Sequence, residues 1–372
     1  MSENDDYELF LVAAPGLEPD LAREAAALGL SDIAEGPGGV TARGDRAALQ
    51  RANLHLRCAS RVLLRFAAFR APHLAQLDKR ARRLAWDRIL PPGLPVRVEA
   101  VCKRSRIYHQ GAAAERIGAA IADGAGATIA ADAATVVKAR IEDDLCTLSL
   151  DTSGEPLHRR GHKEAVGKAP LRETLAAAFL ARMGFDGSQT VVDPMCGSGT
   201  FPIEAAEIAA GLAPGRSRRF AFEDLGGFDA EAWDAMKAAP VARAPVQRFF
   251  GHDRDDGAIR MATQNARRAG VEGWTAFSRQ PISDLAPPPG PPGLVMVNPP
   301  YGARIGERKL LFALYGTLGR VLSERFAGWR LGMVTSDPGL AKATGLSFLP
   351  ADPPVSLGGL KVALYRTAPL GR

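Results

Sequence analysis

The stretch Val191-Val192-Asp193-Pro194-Met195-Cys196-Gly197-Ser198-Gly199-Thr200 decides the fold. A short apolar strand ends at an acid, a turn with two glycines follows, and a helix starts near Thr200. Glycines at such a turn let a ligand approach the backbone, because no Cβ intervenes. The helix N-terminus then presents free N–H groups and positive potential. No Gly-Lys-Ser/Thr is present, so this is not a Walker A loop, and no third glycine completes G-x-G-x-x-G. A lone Gly-x-Gly would fit any tight βα turn; the full string D-P-x-C-G-S-G-T is far more specific. Working outward, PLRETLAAAFLARMGF (170–185) reads as a helix before this strand, and strands and helices keep alternating after it. That alternation predicts an α/β fold with a mostly parallel, doubly wound sheet. Residues 211–248 interrupt it with an Arg-rich, aromatic-containing segment, and APPPGPPG (286–293) is a proline-rich connector.

Two further strings lie downstream. In Phe249-Phe250-Gly251-His252-Asp253-Arg254-Asp255, Asp253 stands at a strand tip, where a carboxylate can accept two hydrogen bonds from ribose hydroxyls. Asp255 or Asp256 reads instead as the cap of a helix running to Ala269. In Leu294-Val295-Met296-Val297-Asn298-Pro299-Pro300-Tyr301-Gly302, four apolar residues lead into Asn-Pro-Pro-Tyr. An exocyclic amine is a poor nucleophile because its lone pair is delocalised into the ring. Asn298 Oδ1 and the Pro299 carbonyl can hold its N–H groups and favour a pyramidal nitrogen. The two prolines stiffen the loop and keep the acceptors aimed, and Tyr301 can stack on the base. A plain strand and proline turn is the competing account. Between these strings lies Ser278–Leu285, the loop expected to meet an adenine. It offers Pro281 where an acid is sought first and Asp284 three residues later; capping or solvation explains Asp284 equally well.

The N-terminal part is of another kind. YELFLVA (7–13) reads as a strand, followed by a helix, a short strand at 39–43 and a helix at about 45–56. Strands are expected at 60–70 and 95–102, a basic helix at 73–87, a helix over GAAAERIGAAIADG, and a β-hairpin turning at Glu142-Asp143-Asp144. The net charge is +6, yet 14 Lys/Arg stand against 4 Asp/Glu between Arg57 and Arg116. This block of +10 suits a phosphate backbone, or a well-solvated basic surface. The four cysteines, Cys58, Cys102, Cys146 and Cys196, are too widely spaced for a C-x-x-C pair, so no structural zinc is expected and free thiols in a reducing cytosol are the simpler account. No run of 18 apolar residues exists and the acidic N-terminus lacks a basic n-region, which argues for a cytoplasmic protein with no membrane span.

With these strings in view, the chain resembles the THUMP-domain RNA methyltransferases, in the branch of the bacterial 23S rRNA guanine-N2 methyltransferase. The residues carrying this are LDTSGEPLHRRG (150–161), APLRETLAAA (169–178), DPMCGSGTFPIEAA (193–206) and NPPYG (298–302). The resemblance implies a ferredoxin-like domain at 1–58, an RNA-binding THUMP domain at 59–152 and a Rossmann-like catalytic domain at 165–372. It implies S-adenosylmethionine as cofactor, held by Asp193, Met195, Cys196, Gly197, Gly199, Thr200, Asp253 and, on the adenine side, Asp284. It places the target amine at Asn298 and Pro299 beside Tyr301. The partner is RNA, with rRNA preferred and tRNA the alternative. Some relatives carry a second methyltransferase domain; a chain ending at 372 is expected to lack that activity. A non-catalytic ribosome-assembly factor, an adenine-N6 enzyme and a DNA amino-methyltransferase are the rival readings.

Other residues stay open. His158 and His162 in HRRGHK can touch phosphate or decorate a solvated linker. Arg172 and Glu173 can touch cofactor or substrate, or form a helix-start ion pair. Arg216-Ser217-Arg218-Arg219-Phe220 can contact RNA or merely decorate an insertion.

Overall fold

The computed structural model describes residues 6–164, 171–239, 242–301 and 308–371. They fall into two compact units, one of residues 1–13, 21–157 and 218–239, the other of 14–20, 158–217 and 240–372.

In the first unit, β1 (Tyr7–Val12), β2 (Ser31–Gly36), β3 (Gly39–Gly44), β4 (Arg61–Arg70), β5 (Pro95–Lys103), β6 (Thr128–Ile129), β7 (Thr135–Glu142) and β8 (Leu145–Asp151) form one sheet. Its order among the described residues is β2-β3-β1-β4-β8-β7-β5-β6. Pairings are antiparallel except β5 with β6 and with β7. The hairpin expected at Glu142-Asp143-Asp144 joins β7 to β8, and Asp143 and Asp144 both take positive φ. Asn and Asp tolerate that left-handed pair better than most side chains, and it matches the twist of the flanking strands. The helix α1 (Glu18–Ala27) follows β1, and α2 (Arg46–His55) starts where Asp45 accepts from Ala48 N. The basic helix expected over 73–87 is shorter. The structure ends α3 (Leu74–Ala81) early and makes a separate turn at Trp86–Arg88. There the fully buried Trp86 donates its indole N–H to the Ala81 carbonyl. The last helix of this run, α4 (Gln110–Ala125), ends on Gly126 in the left-handed region.

Residues 218–239, inside the stretch expected to be catalytic, cluster with this first unit. Phe220 and Phe222 stack at 5.3 Å, the Trp233 ring on α7 (Ala230–Ala238) meets both edge-on, and Phe222 N donates to the Thr152 carbonyl. Arg218 donates to the carbonyls of Ser153, Glu155 and Pro156 and lies over the Phe220 ring. Phe220 and Arg218 thus form a packed joint, not an exposed cluster.

The second unit carries β9 (Val191–Asp193), β10 (Phe249–Asp253), β11 (Thr275–Arg279), β12 (Leu294–Val297), β13 (Arg330–Thr335), β14 (Val355–Leu357) and β15 (Leu360–Arg366). Their order is β11-β10-β9-β12-β13-β15-β14, parallel from β11 to β13, with β15 antiparallel to β13 and to β14. Every residue of β9 and β12 is buried, as strands covered on both faces require. The helices are α5 (Glu173–Arg182), α6 (Thr200–Ala209), α8 (Asp256–Ala269), α9 (Arg308–Arg325) and α10 (Pro338–Ala343). The expected doubly wound parallel core is present. The chain leaves β9 toward β10 and β11 on one side, and β12 leads to β13 on the other. The β9/β12 boundary is therefore the point where strand order reverses, where ligands enter such sheets. Among the described residues no helix is long and apolar enough to cross a membrane.

Candidate active site

Three loops meet at the carboxyl end of the parallel strands. The first follows β9. Asp193 is 3% exposed and its Oδ1 accepts from Met195 N at 3.0 Å. Burial holds its carboxyl well above the usual range and the Asp253 charge adds to this, against the pull of the Met195 N–H. The chain then turns through Gly197 (φ 52°) and Gly199 (φ 85°), both in the region that favours glycine. The two glycines serve different ends. A Cβ on Gly197 would meet nothing within 4 Å, so it faces open space. A Cβ on Gly199 would lie 3.0 Å from the Ala262 Cβ and 3.1 Å from the Phe277 ring, so it is small because α8 and β11 press on it. Thr200 begins α6 behind this turn.

The second loop follows β10. Asp253 Oδ2 accepts from Gly197 N at 3.1 Å and Oδ1 from Asp255 N at 3.0 Å. Asp255 itself caps α8 through Gly257 N. Cys196 N donates to the His252 carbonyl, and its buried thiol is pushed well above its ordinary pKa by burial, then by Asp193 and Asp253. Gln280 N donates to the Asp253 carbonyl at 2.9 Å while Gln280 Nε2 donates to the Asp284 carbonyl at 2.8 Å. This ties the short helical turn Ile282–Asp284 back to the strand end. The Asp284 side chain is exposed and accepts from Ser283 Oγ.

The third loop follows β12. Asn298 Oδ1 is buried and, among the described residues, has no hydrogen-bond partner. A buried acceptor left unpaired costs about 1–3 kcal/mol, so this oxygen is set up for a donor that arrives from outside. Pro299 is buried and Pro300 exposed. The Pro300 carbonyl accepts from Tyr315 Oη, which also reaches Thr335 Oγ1. Tyr301 is half-buried against the apolar core of β12, β13 and α9. Gly302, the end of the quoted string, lies outside the described residues.

An open cleft of ≈ 850 Å³ on the same unit is lined by His158, Arg159, Lys163, Arg172, Tyr301 and Leu360, among others. The HRRGHK segment is no solvated linker. His162 is 3% exposed with Nδ1 3.8 Å from Glu207, Arg160 and Glu204 pair at 3.4 Å with each 1% exposed, and Arg216 reaches Glu207 at 2.6 Å. Arg216 therefore ties α6 down. Glu173 does make an ion pair at the start of α5, with Lys163 at 3.0 Å, and Lys163 also donates to Thr200 Oγ1 at 2.9 Å. This link to the first residue of α6 was not expected. Its sole sequence signal was a lysine directly after His162 in HRRGHK. Among the described residues no group of three or more His, Cys, Asp or Glu side chains is placed to hold a metal ion.

Comparison with known proteins gives the family of the chain. Residues 160–351 match the RMKL-like methyltransferase domain, and residues 8–63 match the RlmL ferredoxin-like domain. The chain is 38% identical to the ribosomal RNA large subunit methyltransferase K/L of Syntrophotalea carbinolica, over 91% of this chain and 50% of that protein. It spans about half the length of several curated relatives of that name. It is 33% identical to slr0064 of Synechocystis sp., assigned as an RNA methyltransferase, over 96% of this chain and 95% of that one. Among solved structures, SMU.472, described as a methyltransferase complexed with SAH, superposes with a TM-score of 0.88 at 26% identity, covering 100% of this chain and 99% of that one. The second unit has the S-adenosylmethionine-dependent methyltransferase fold.

Proposed function

We propose, for a chain that belongs to the RMKL-like methyltransferase family, that it methylates the exocyclic N2 amine of a guanine in large-subunit rRNA. The observation that carries this is the Asn298 Oδ1, buried and, among the described residues, unpartnered, directly after β12, the strand that pairs with β9 ahead of its glycine turn. An amine N–H satisfies that oxygen, and the Pro299 carbonyl is the second acceptor. Held by two acceptors, the nitrogen is drawn toward a pyramidal shape with its lone pair free. No general base has to be tuned before transfer. Tyr301 stacks on the base and fixes its plane.

S-adenosylmethionine supplies an electrophilic methyl on a sulfonium. The open space over Gly197 and the Asp253 carboxylate, which holds the glycine turn through Oδ2, fit this donor. The backbone of Met195, Cys196, Gly197 and Gly199 with Thr200 lines its methionine side. Asp193 braces the turn, Asp253 takes the ribose, and the Asp284 turn covers the adenine. We assign residues 59–152 as the RNA-binding THUMP domain between a ferredoxin-like 1–58 and a catalytic 165–372 from which the inserted 218–239 is excepted; the net +10 between Arg57 and Arg116 supports the RNA-binding assignment.

The test is transfer of a labelled methyl onto deproteinised rRNA and tRNA fragments, followed by nucleoside identification. N2-methylguanosine in 23S rRNA is the expected product. Label in tRNA alone moves the substrate to tRNA, and label in N6-methyladenosine overturns the guanine assignment.

A further inference from the structure

The cleft beside Tyr301 carries a chemistry that the amine clamp does not use. Its walls are of two kinds. Tyr301, Leu171 and Leu360 are apolar, whereas Arg159, Lys163 and Arg172 are cationic. At ≈ 850 Å³ it has room for a nucleotide, since small-molecule sites run to about 300–1,000 Å³. Both carboxylates in its lining are engaged by cations: Glu173 lies 3.0 Å from Lys163, and Glu164 lies 3.7 Å from Arg268. Arg172 differs. It stands exposed ahead of α5 with no side-chain capping bond, and among the described residues no carboxylate pairs with it. His158 reports the resulting field. Burial first, then Arg172, Arg159, Arg160 and Lys163, push its imidazole down to about 4.

We propose that this cleft holds the phosphate of the nucleotide whose base reaches Asn298, with Arg172 and Arg159 on the phosphate and Tyr301 against the base. The inference rests on the base-methylating reading above. A guanidinium fork matches phosphate oxygens two at a time, which a lysine cannot do. The apolar wall receives the π-face of the base, which every nucleobase has. One cleft thus grips the two chemically opposite ends of a nucleotide, and its phosphate anchor carries no base identity.

The experiment is calorimetric binding of guanosine 5′-monophosphate and of guanosine to the full chain saturated with SAH. The phosphate is expected to tighten binding about 10-fold, the strength of one charged hydrogen bond. Arg172→Gln is expected to erase that difference, and Arg172→Lys to restore part of it, with unchanged melting and unchanged SAH affinity in both. Equal or undetectable binding of the two ligands by the wild-type chain overturns the proposal, as does a preference that survives Arg172→Gln. Weaker SAH binding in Arg172→Gln also overturns it, by assigning the arginine to the donor carboxylate. Failure of the activity reading looks different: phosphate-dependent binding intact, with no label on rRNA.

Discussion

The backbone N–H of Gly197 donates to Asp253 Oδ2 at 3.1 Å, so the glycine turn after β9 and the tip of β10 form one rigid cradle. Asp253 is thereby both an architectural brace and the proposed ribose acceptor. Asp253→Ala is expected to weaken SAH binding by about 10–100-fold, the worth of one or two charged hydrogen bonds. Titration calorimetry checks it, and an unchanged Kd would remove Asp253 from the donor site.

Asn298→Ala removes a buried oxygen that makes no hydrogen bond among the described residues. Methyl transfer should fall about 100–1,000-fold in kcat, the cost of losing one aimed polar partner in a transition state. Binding of rRNA and of SAH should stay near wild type. Turnover kept in this variant would remove Asn298 from the amine clamp, whereas complementation that survives the loss of turnover would favour the ribosome-assembly reading.

The two glycines of the turn should separate stability from binding. Gly199→Ala forces a Cβ to 3.0 Å from Ala262 and 3.1 Å from Phe277 at positive φ, and is expected to cost about 1–3 kcal/mol of stability. Gly197→Ala has open space around it, so it should melt closer to wild type, losing only about 1 kcal/mol to its φ, while SAH binding suffers more. Equal melting of both variants would contradict this reading of the turn.

His158 makes the unit acid-sensitive. Its folded pKa, about 4, lies below the ordinary 6.5, so the folded state favours neutral imidazole. That contribution is intact above 6.5 and is lost as pH falls from 6.5 through about 4. His158→Gln should therefore flatten the decline of melting temperature across that window. An unaltered acid limb would show that other groups dominate.

The parallel core was legible because its strands are short apolar runs bounded by glycine, proline or acid. The cradle was legible because Asp193, Gly197, Gly199 and Asp253 stand at fixed offsets from them. Other features left no such mark. The edge strand β2, SDIAEG, is largely exposed and lacks alternation, so nothing in its pattern distinguishes it from a loop. The short α3 goes with Trp86 reaching back to the Ala81 carbonyl, a local side-chain bond that helix propensity does not anticipate. The charged residues of HRRGHK read as phosphate contacts or a solvated linker because burial of Arg160 and His162 depends on Glu204 and Glu207. Those acids lie some 45 residues away, on a helix whose sequence gives no sign that it will receive them. Burying such charges is tolerable only when the partners are already opposite one another.

The segment 218–239 belongs to the first unit although the chain has entered the second at residue 158 and returns to it at residue 240. During synthesis, therefore, the N-terminal unit lacks its Phe220–Phe222–Trp233 stack until the ribosome has passed residue 239. By then β9 and α6 have already been synthesised. Maturation of the two halves is interleaved in time, and a proteolytic nick between 158 and 217 cannot release either half whole.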